Sequence, residues 1–355
     1  MHSPSPTRDP LAGKLPVSLI TGFLGSGKTT LLKRLLRDPG MNRAAVIINE
    51  FGEVGIDHEL VASSSEQTTL LANGCLCCSV RTDLQETLRE LFIRRRAGEV
   101  IDFDRVFVET TGLADPAPVL HTLQTDGMLG AQYRLDCVVT LVDAVNGLRN
   151  LDDAPEAAKQ AAVADRIVIT KGDIAAPGAV ESIEARLEEM NPYAARTVAV
   201  NGEVEVAFLR DIGPRSARAA AGELERWLAP SGEGHPEGAY LGRRARAGGH
   251  DAAIKSFCLW FDQPFTWDGF SAAVQLLTSL RGPDLLRVKG LVNVTGERGP
   301  VLVQGAQHVF HPPVTLEAWA GNDRRSRIVF ITRNVAQEAI EAVFAAVGAL
   351  SAQSA

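Results

Sequence analysis

Residues 15–36, LPVSLITGFLGSGKTTLLKRLL, predict a buried strand, a glycine-rich turn and an amphipathic helix, in that order. The turn fits the pattern G-x-x-x-x-G-K-S/T, with Gly22, Gly27, Lys28 and Thr29 in register. Glycines allow the tight bend that points successive backbone N–H groups into one concavity, and the N-terminus of the following helix favours phosphate. We expect Lys28 to reach the β- and γ-phosphates and the Thr29 hydroxyl to hold Mg²⁺. The stretch therefore predicts a site for a nucleoside triphosphate.

Strand-like and helix-like segments alternate along the chain beyond this stretch. Apolar strands are predicted at 44–48, 105–108, 135–142, 166–170 and 197–200, with helices at 83–96 and 180–190 and another from residue 115. This alternation predicts an α/β fold of the P-loop NTPase type, a mostly parallel sheet with helices on both faces. In such a sheet the ligand-binding loops lie at the carboxyl ends of the strands.

The length of 355 residues exceeds what one core usually supports, so two domains are expected. Residues 1–14 are rich in Pro and Ser and are predicted to be a disordered tail. Residues 15–212 form the predicted P-loop domain, and residues 213–250 a helix followed by a linker rich in Gly, Arg and Pro. Residues 251–350 are predicted to form a smaller α+β domain built on one antiparallel sheet.

Composition limits the classes of function. The formal net charge is −7, so no general attraction to nucleic acid is expected, and no apolar run reaches the ~18 residues of a membrane-spanning helix. The N-terminus lacks the apolar segment of a secretory signal. Three of the five cysteines lie within four residues, which favours a reducing cytoplasm and a thiolate site over a disulfide framework.

An acidic segment, NEFGEVGID at 49–57, follows the second predicted strand. Its position suits a switch segment that senses the γ-phosphate. Glu50 or Asp57 could hold Mg²⁺ or its water shell, and Glu53 could serve a second metal. A plain polar surface loop is the alternative interpretation.

A second acidic loop, ETTGLADP, continues directly from the strand at 105–108. An acidic residue that closes an apolar strand, with Gly three residues later, is typical of the second phosphate-sensing loop. We expect Glu109 on the Mg²⁺ side and the Gly112 N–H facing the γ-phosphate.

The segment TKGD at 170–173 indicates which base the nucleotide carries. A carboxylate only accepts hydrogen bonds, and guanine offers N1–H and a 2-amino group on one edge where adenine offers neither. Asp173 therefore favours GTP over ATP, and the aliphatic stem of Lys171 is expected to cover the ring. Thr170 occupies the position at which this motif usually has Asn.

The segment NGCLCC supplies Cys75, Cys77 and Cys78 from one predicted loop. Soft thiolates select Zn²⁺, Cu⁺ or similar metals over Mg²⁺, and the following helix N-terminus should lower the thiol pKa values. A closed zinc site needs four ligands, and the sequence has no second cysteine pair. An open site that suits metal transfer is the leading interpretation, with a redox-active group or inert buried thiols as alternatives.

Taken in order, these motifs resemble the CobW-type family of P-loop GTPases, which act as metallochaperones; the matching segments are GFLGSGKTTLL, NEFGEVGID, NGCLCC, VETTGLADP, LVDA and ITKGD. The family is related to the nickel-inserting GTPases of hydrogenase and urease maturation. LLRVKGLVNV, VLVQGAQHVF and SRIVFITRN resemble the C-terminal domain of the same family. The resemblance therefore spans nearly the whole chain past residue 14.

The resemblance implies roles for individual residues. Phosphates would be bound by the turn and the first helical residues, which are Gly25, Ser26, Gly27, Lys28, Thr29 and Thr30. Glu50 and Glu109 would lie near Mg²⁺. The cargo metal would be bound by Cys75, Cys77 and Cys78, with Glu53 as a further candidate ligand. The family divides among zinc, cobalt for cobalamin synthesis and nitrile hydratase activation, and the sequence does not choose among them.

The leading hypothesis is a cytoplasmic, GTP-hydrolysing metallochaperone that delivers Zn²⁺ or Co²⁺ to a metal-dependent client protein and is left with GDP. The alternatives are a metal-independent regulatory GTPase whose cysteines sense redox state, and a P-loop kinase acting on a small molecule. No nucleic-acid or membrane partner is expected, and a homodimer is left open. His308 and His311 could ligate a metal, although surface histidines are the expected interpretation.

Overall fold

The computed structural model describes residues 11–49, 68–70, 76–80, 84–200, 202–213, 228, 254–319 and 321–353. Within them, two sheets each carry their own helices and hydrophobic core. No helix in these described ranges is long and apolar enough to cross a membrane.

The first sheet has eight strands in the order β3-β4-β2-β5-β1-β6-β7-β8. They are β1 (Leu15–Gly22), β2 (Ala44–Asn49), β3 (Thr68–Leu70), β4 (Leu76–Val80), β5 (Arg105–Thr110), β6 (Tyr133–Asp143), β7 (Arg166–Thr170) and β8 (Ala195–Val198). All neighbours pair in parallel except β3 and β4. In β1 only Pro16 is not fully buried, because a central parallel strand is covered by helices on both faces. The predicted α/β fold is confirmed.

Among the described residues, seven helices belong to this sheet. They are α1 (Lys28–Leu35), α2 (Leu84–Ala97), α3 (Ala117–Thr125), α4 (Gly127–Gln132), α5 (Gly147–Asp153), α6 (Pro155–Val163) and α7 (Ala179–Met190). Alternation along β1 separates two cores: Val17 and Leu19 pack with α2 and α3, whereas Ile20 packs with the apolar face of α1. The P-loop helix therefore lies on the opposite face of the sheet from α2 and α3.

The second sheet is antiparallel, with the order β12-β11-β10-β14-β9 and β13 paired to β11. Its elements are β9 (Ile254–Phe261), α8 (Trp267–Arg281), β10 (Leu285–Val292), β11 (Val301–Ala306), β12 (Val309–Phe310), β13 (Val314–Thr315), β14 (Ser326–Arg333) and α9 (Gln337–Gln353). The Thr266 hydroxyl caps α8 by accepting the Gly269 N–H. Phe265, Phe270 and Phe344 form edge-on and tilted ring contacts under the sheet. The predicted α+β unit with one antiparallel sheet is confirmed.

Three local expectations are corrected. Cys77 and Cys78 lie within strand β4 and not in a loop, because that segment pairs with β2 on one side and β3 on the other. The single strand expected at 301–310 is two strands, since Gln307 turns the chain with a φ of 55°. Helices α5 and α6 were not predicted at all. The helix expected near 216–228 lies outside the described residues except for Leu228.

The two sheets are joined by a mixed interface. Leu286, Ala306 and Ile331 of the antiparallel sheet belong to the same hydrophobic core as β1 and β5. Beside this core, the buried Asp165 carboxylate forms ion pairs with Arg287 and Lys289 of β10 and accepts the Val138 N–H. Apolar contact and a buried charge cluster therefore hold the second domain on the first.

Candidate functional site

The phosphate loop runs from the end of β1 to the start of α1 and depends on its glycines. Gly22, Gly25 and Gly27 have φ values of 145°, 73° and 93°, which side-chain-bearing residues rarely adopt. A Cβ on Gly22 would lie 2.6 Å from the Leu141 carbonyl oxygen of β6. The loop can therefore close against β6 only with glycine at this position.

Lys28 lies across the loop, with 9% of its surface exposed. Its ammonium group donates to the carbonyl oxygens of Gly22, at 2.7 Å, and Phe23, at 3.1 Å. These are neutral acceptors, and an anionic phosphate oxygen is a stronger one. Thr29 is partly buried and Thr30 exposed in the first turn of α1, as a phosphate-binding helix N-terminus requires.

The second phosphate-sensing loop meets the phosphate loop directly. Glu109 is the penultimate residue of β5, pairs with Ile20 of β1 and is 6% exposed. A hydrogen bond of 2.8 Å joins the hydroxyls of Thr110 and Thr21 at the ends of the same two strands. A Cβ on Gly112 would lie within 2.8 Å of Leu24 backbone atoms. The structure thus brings Gly112 against the phosphate loop.

Three side chains that sequence reasoning missed hold this loop. The Gln160 amide of α6 donates to the carbonyl oxygens of Gly112, at 3.1 Å, and Ala114, at 3.0 Å. Lys159 forms an ion pair with Asp115, which also accepts from Gln307 at 3.2 Å. The signal in the sequence was the lone amide in the alanine-rich helix PEAAKQAAV, a polar group that needs partners if it is buried.

The candidate base site follows β7. The Thr170 hydroxyl donates to the Ser26 carbonyl at 2.7 Å, so this residue ties the TKGD turn to the phosphate loop. Lys171 has a φ of 59°, and its ammonium lies 2.5 Å from an Asp143 oxygen. Burial alone would raise the pKa of Asp143, but the Lys171 contact and the Val145 N–H lower it. Asp173 is exposed and has an accessible carboxylate, as a base-binding residue should.

The predicted metal ligands are only partly covered by the structure. Cys75, Glu50 and Glu53 lie outside the described residues. The backbone of Cys77 pairs with Val46 of β2, and β4 is separated from β1 by three strand spacings, about 14 Å at ~4.8 Å each. Within the described part of the chain, no group of three or more His, Cys, Asp or Glu side chains could hold a metal ion.

The histidines of the second domain differ in their surroundings. His308 is exposed, and its ring centroid lies 6.0 Å from that of His121 on α3. His311 is partly buried, and desolvation together with the Arg287 charge lowers its pKa to about 3. Cys137 is fully buried in the core beside Ser18.

This geometry defines the class of protein: a P-loop GTPase with an antiparallel second domain. The family described as "CobW/HypB/UreG, nucleotide-binding domain" matches residues 16–197, and the "Cobalamin synthesis protein cobW C-terminal domain" matches residues 254–348. The chain belongs to the CobW family of GTPases, and it is an enzyme that hydrolyses GTP.

Named relatives match almost end to end. The zinc chaperone YjiA of Escherichia coli is 32% identical over 93% of this chain and 98% of its own length. The zinc chaperone CobW of Pseudomonas aeruginosa is 32% identical, covering 92% of this chain and 90% of the relative. The crystal structure of Zn(II)-bound YjiA GTPase superposes with a TM-score of 0.71 at 30% identity, covering 94% of this chain and 99% of that one. The fold and the two-domain arrangement are therefore common to these proteins.

Proposed function

We propose that this GTPase is a metallochaperone that carries Zn²⁺ and delivers it to a metal-dependent client protein in the cytoplasm. The names of the relatives support a zinc cargo, and the Saccharomyces cerevisiae relative, 28% identical over 92% of this chain, is a zinc-regulated GTPase metalloprotein activator. The cargo ligands are Cys75, Cys77 and Cys78, since thiolates select soft metals, with Glu53 as a further ligand. Co²⁺ is the competing cargo.

One observation carries this proposal: β4, which contains two of the cysteines, pairs with β2, and β2 pairs with β5. β5 ends at Glu109 and Thr110, beside the phosphate loop. β2 ends at Asn49, and the acidic segment with Glu50 and Glu53 follows directly in the sequence. Neighbouring strands of one sheet therefore connect the cysteine motif to the nucleotide loops.

The nucleotide site would hold its ligands through groups on this edge. Lys28 and the backbone N–H groups of the phosphate loop bind the phosphates, and the Gly112 N–H contacts the γ-phosphate. Thr29, Glu109 and Glu50 would hold Mg²⁺, because hydroxyl and carboxylate oxygens are the hard donors that this ion takes, and bound Mg²⁺ neutralises phosphate charge. Asp173 selects guanine through its N1–H and 2-amino groups.

The function requires that metal and nucleotide affect each other's binding. GTP orders the segment that follows β2 and tightens the metal site, and hydrolysis releases that segment so that the client can take the metal. By linkage, zinc then tightens GTP by the same factor, with a coupling free energy of about 1–3 kcal/mol. Because zinc must displace thiol protons, its affinity falls as the pH falls.

The test is a zinc titration against a chromophoric chelator, with the protein loaded either with GDP or with a non-hydrolysable GTP analogue. We expect zinc to bind at least about fivefold more tightly in the GTP state, the lower end of typical coupling. The triple variant Cys75→Ser, Cys77→Ser, Cys78→Ser should lose this binding, whereas Cys258→Ser, on a strand of the second domain, should keep it. Equal affinities in both nucleotide states would favour the redox-sensing alternative. A parallel Co²⁺ titration ranks the two metals.

A further inference from the structure

Gln160 is a buried amide on α6, and the other buried side chains of this helix are apolar. It is fully buried, with Ala157, Ala158, Ala161 and Ala162 as buried neighbours on α6. Its amide nitrogen donates to the carbonyl oxygens of Gly112 and Ala114, which belong to one loop. A buried amide is costly unless it is bonded, so this side chain specifies the position of the loop.

The helix that carries this amide is itself fixed to the sheet. The backbone carbonyl of Gln160 accepts the Thr140 hydroxyl of β6 at 2.7 Å, in a fully buried contact. On the other side of the loop, Gly112 lies so close to Leu24 that a Cβ would meet its backbone. Gly112 is therefore held between the phosphate loop and an amide anchored on β6.

Gly112 needs such a restraint because glycine has no side chain to limit its backbone rotation. Fixing the carbonyl groups of residues 112 and 114 restricts the backbone on the C-terminal side of Gly112, and so limits movements of the loop that would carry the Gly112 N–H away from the phosphate loop. Gln160 and Ser26 both line one small cavity, and neither the Gln160 amide oxygen nor the Ser26 hydroxyl has a hydrogen-bond partner among the described residues. Gln160 thus lies between the two phosphate-binding loops and touches one of them directly.

We propose that Gln160 is a positioning residue for GTP hydrolysis, which holds the 112–114 loop so that the Gly112 N–H meets the γ-phosphate. This inference rests on the proposed contact between the Gly112 N–H and the γ-phosphate. GDP has no γ-phosphate, so Gln160 affects binding and hydrolysis of GTP and not binding of GDP. Nothing in the sequence motifs singles it out, because its contacts join residues 46 and 48 positions apart.

The informative variant is Gln160→Glu, which keeps the size of the side chain and replaces the amide donor by an acceptor. We expect the single-turnover rate of GTP hydrolysis to fall about 10²-fold, the usual effect of small displacements in a site. Affinity for a non-hydrolysable GTP analogue should fall as well, while affinity for GDP, which has no γ-phosphate to meet the loop, stays within about twofold, or about 0.4 kcal/mol. If Gln160→Glu does not fold, Gln160→Met, which is similar in length and lacks the donor, takes its place.

The pH profile distinguishes a lost hydrogen bond from a packing defect. Burial raises the pKa of a carboxyl group, and the protonated form regains one O–H donor for the loop carbonyls. The rate of Gln160→Glu relative to the native protein should therefore rise as the pH falls from about 8 to 6, a range that a raised carboxyl pKa can reach. A ratio that does not change with pH would contradict the proposal.

Asn191 provides a matched control. It is also a fully buried amide, and its nitrogen donates to the carbonyl oxygens of Ala161, Ala162 and Ala164 at the end of the same helix. Asn191→Asp should lower the melting temperature without changing the hydrolysis rate. If both variants lose the same fraction of the rate, or if Gln160→Glu also loses GDP affinity, the positioning role is wrong. Zinc affinity that does not depend on the nucleotide would contradict only the metallochaperone proposal, since this test measures hydrolysis.

Discussion

We propose that a single exposed carboxylate, Asp173, decides which base this site accepts. Asp173 follows the positive-φ turn at Lys171, whose ammonium is held by Asp143 and not by Asp173. The Asp173 carboxylate therefore keeps its acceptor capacity for a ligand, whereas Thr170 is committed to the phosphate loop. In this proposal Thr170 anchors the TKGD turn to the phosphate loop, and Asp173 binds the base.

Asp173→Ala should remove the preference for GTP over ATP. A hydrogen bond to a charged group contributes about 1.5–3 kcal/mol, so GTP affinity should fall roughly 10- to 100-fold while ATP affinity hardly changes. Competition of both nucleotides against a fluorescent GDP analogue measures this. Glu184→Ala, which removes an exposed carboxylate on α7, is the control and should keep the preference. An Asp173→Ala protein that still prefers GTP would refute the base assignment.

Residues of local motifs could be predicted from the sequence, and residues that act through distant contacts could not. Gly22, Lys28 and Asp173 belong to short patterns whose geometry is set by their immediate neighbours. Gln160 and Gln307 contact the phosphate-sensing loop from 46 to 48 and 192 positions away in the chain. Such contacts exist only after the sheet, α6 and the second domain have packed, so the chain shows at most an isolated polar residue in an apolar helix and not the partners of that residue.

Adding one methyl group at Gly22 tests whether the turn between β1 and α1 requires glycine. Gly22→Ala would place a Cβ against the Leu141 carbonyl of β6, whereas Gly98→Ala places one in open space. Both positions have positive φ values, and that strain costs about 1–3 kcal/mol for a residue other than glycine. We expect Gly98→Ala to lower the free energy of unfolding within this range and to bind GDP normally. Gly22→Ala should lose more stability and lose GDP binding, as urea unfolding and GDP titration would show; equal losses in the two variants would contradict the collision.

Where an apolar run in the sequence was long, the strand predicted from it agrees with the strand in the structure. The parallel strands β1, β5, β6 and β7 are continuous buried runs, which is why the sequence located them. β4 escaped prediction because its five residues include two cysteines and a serine, and its strand character comes from pairing with β2 and β3. Local propensity is weak for such short segments, and the neighbouring strands decide the conformation.

The attachment of the two domains depends on a buried charge cluster. Asp165 is 2% exposed and faces Arg287 and Lys289 of the second domain, which are 3% and 6% exposed. Asp165→Ala leaves two cations buried without their anion, so we expect a loss of about 3–5 kcal/mol in the free energy of unfolding. Asp323→Ala breaks the exposed pair with Arg325 and should cost at most about 1 kcal/mol. Urea unfolding compares the two, and similar losses would show that burial of the cluster is unimportant.

The same interface predicts how stability depends on pH. Desolvation and the Arg287 charge lower the pKa of His311 to about 3 from 6.5, so the unfolded chain binds this proton more readily than the folded one. Stability from His311 is therefore present above about pH 6.5 and is lost as the pH falls toward 3. Burial alone would raise the pKa of Asp165, but Arg287 and Lys289 lower it to about 2 from 3.8, so its contribution is lost only below about pH 4.

Unfolding free energies measured between pH 7 and 4 distinguish the contribution of His311 from that of Asp165. His311→Asn should flatten the dependence between about pH 6.5 and 4, because the titrating ring is gone. His308→Asn, at an exposed position on the neighbouring turn, should keep the native slope. A native protein with constant stability over this range would contradict the assignment of His311.

The place of β4 in the sheet limits how a nucleotide can influence the cysteines. With β2 and β5 between β4 and β1, the separation of about 14 Å exceeds the distance of ~8 Å over which salt water screens exposed charges at physiological ionic strength. Direct interaction between the γ-phosphate charge and the proposed metal-binding thiolates should therefore be weak. The coupling proposed above would act through a conformational change, such as ordering of the segment that follows β2 in the sequence. The ratio of zinc affinities in the GTP and GDP states should consequently be the same in dilute buffer and in concentrated salt.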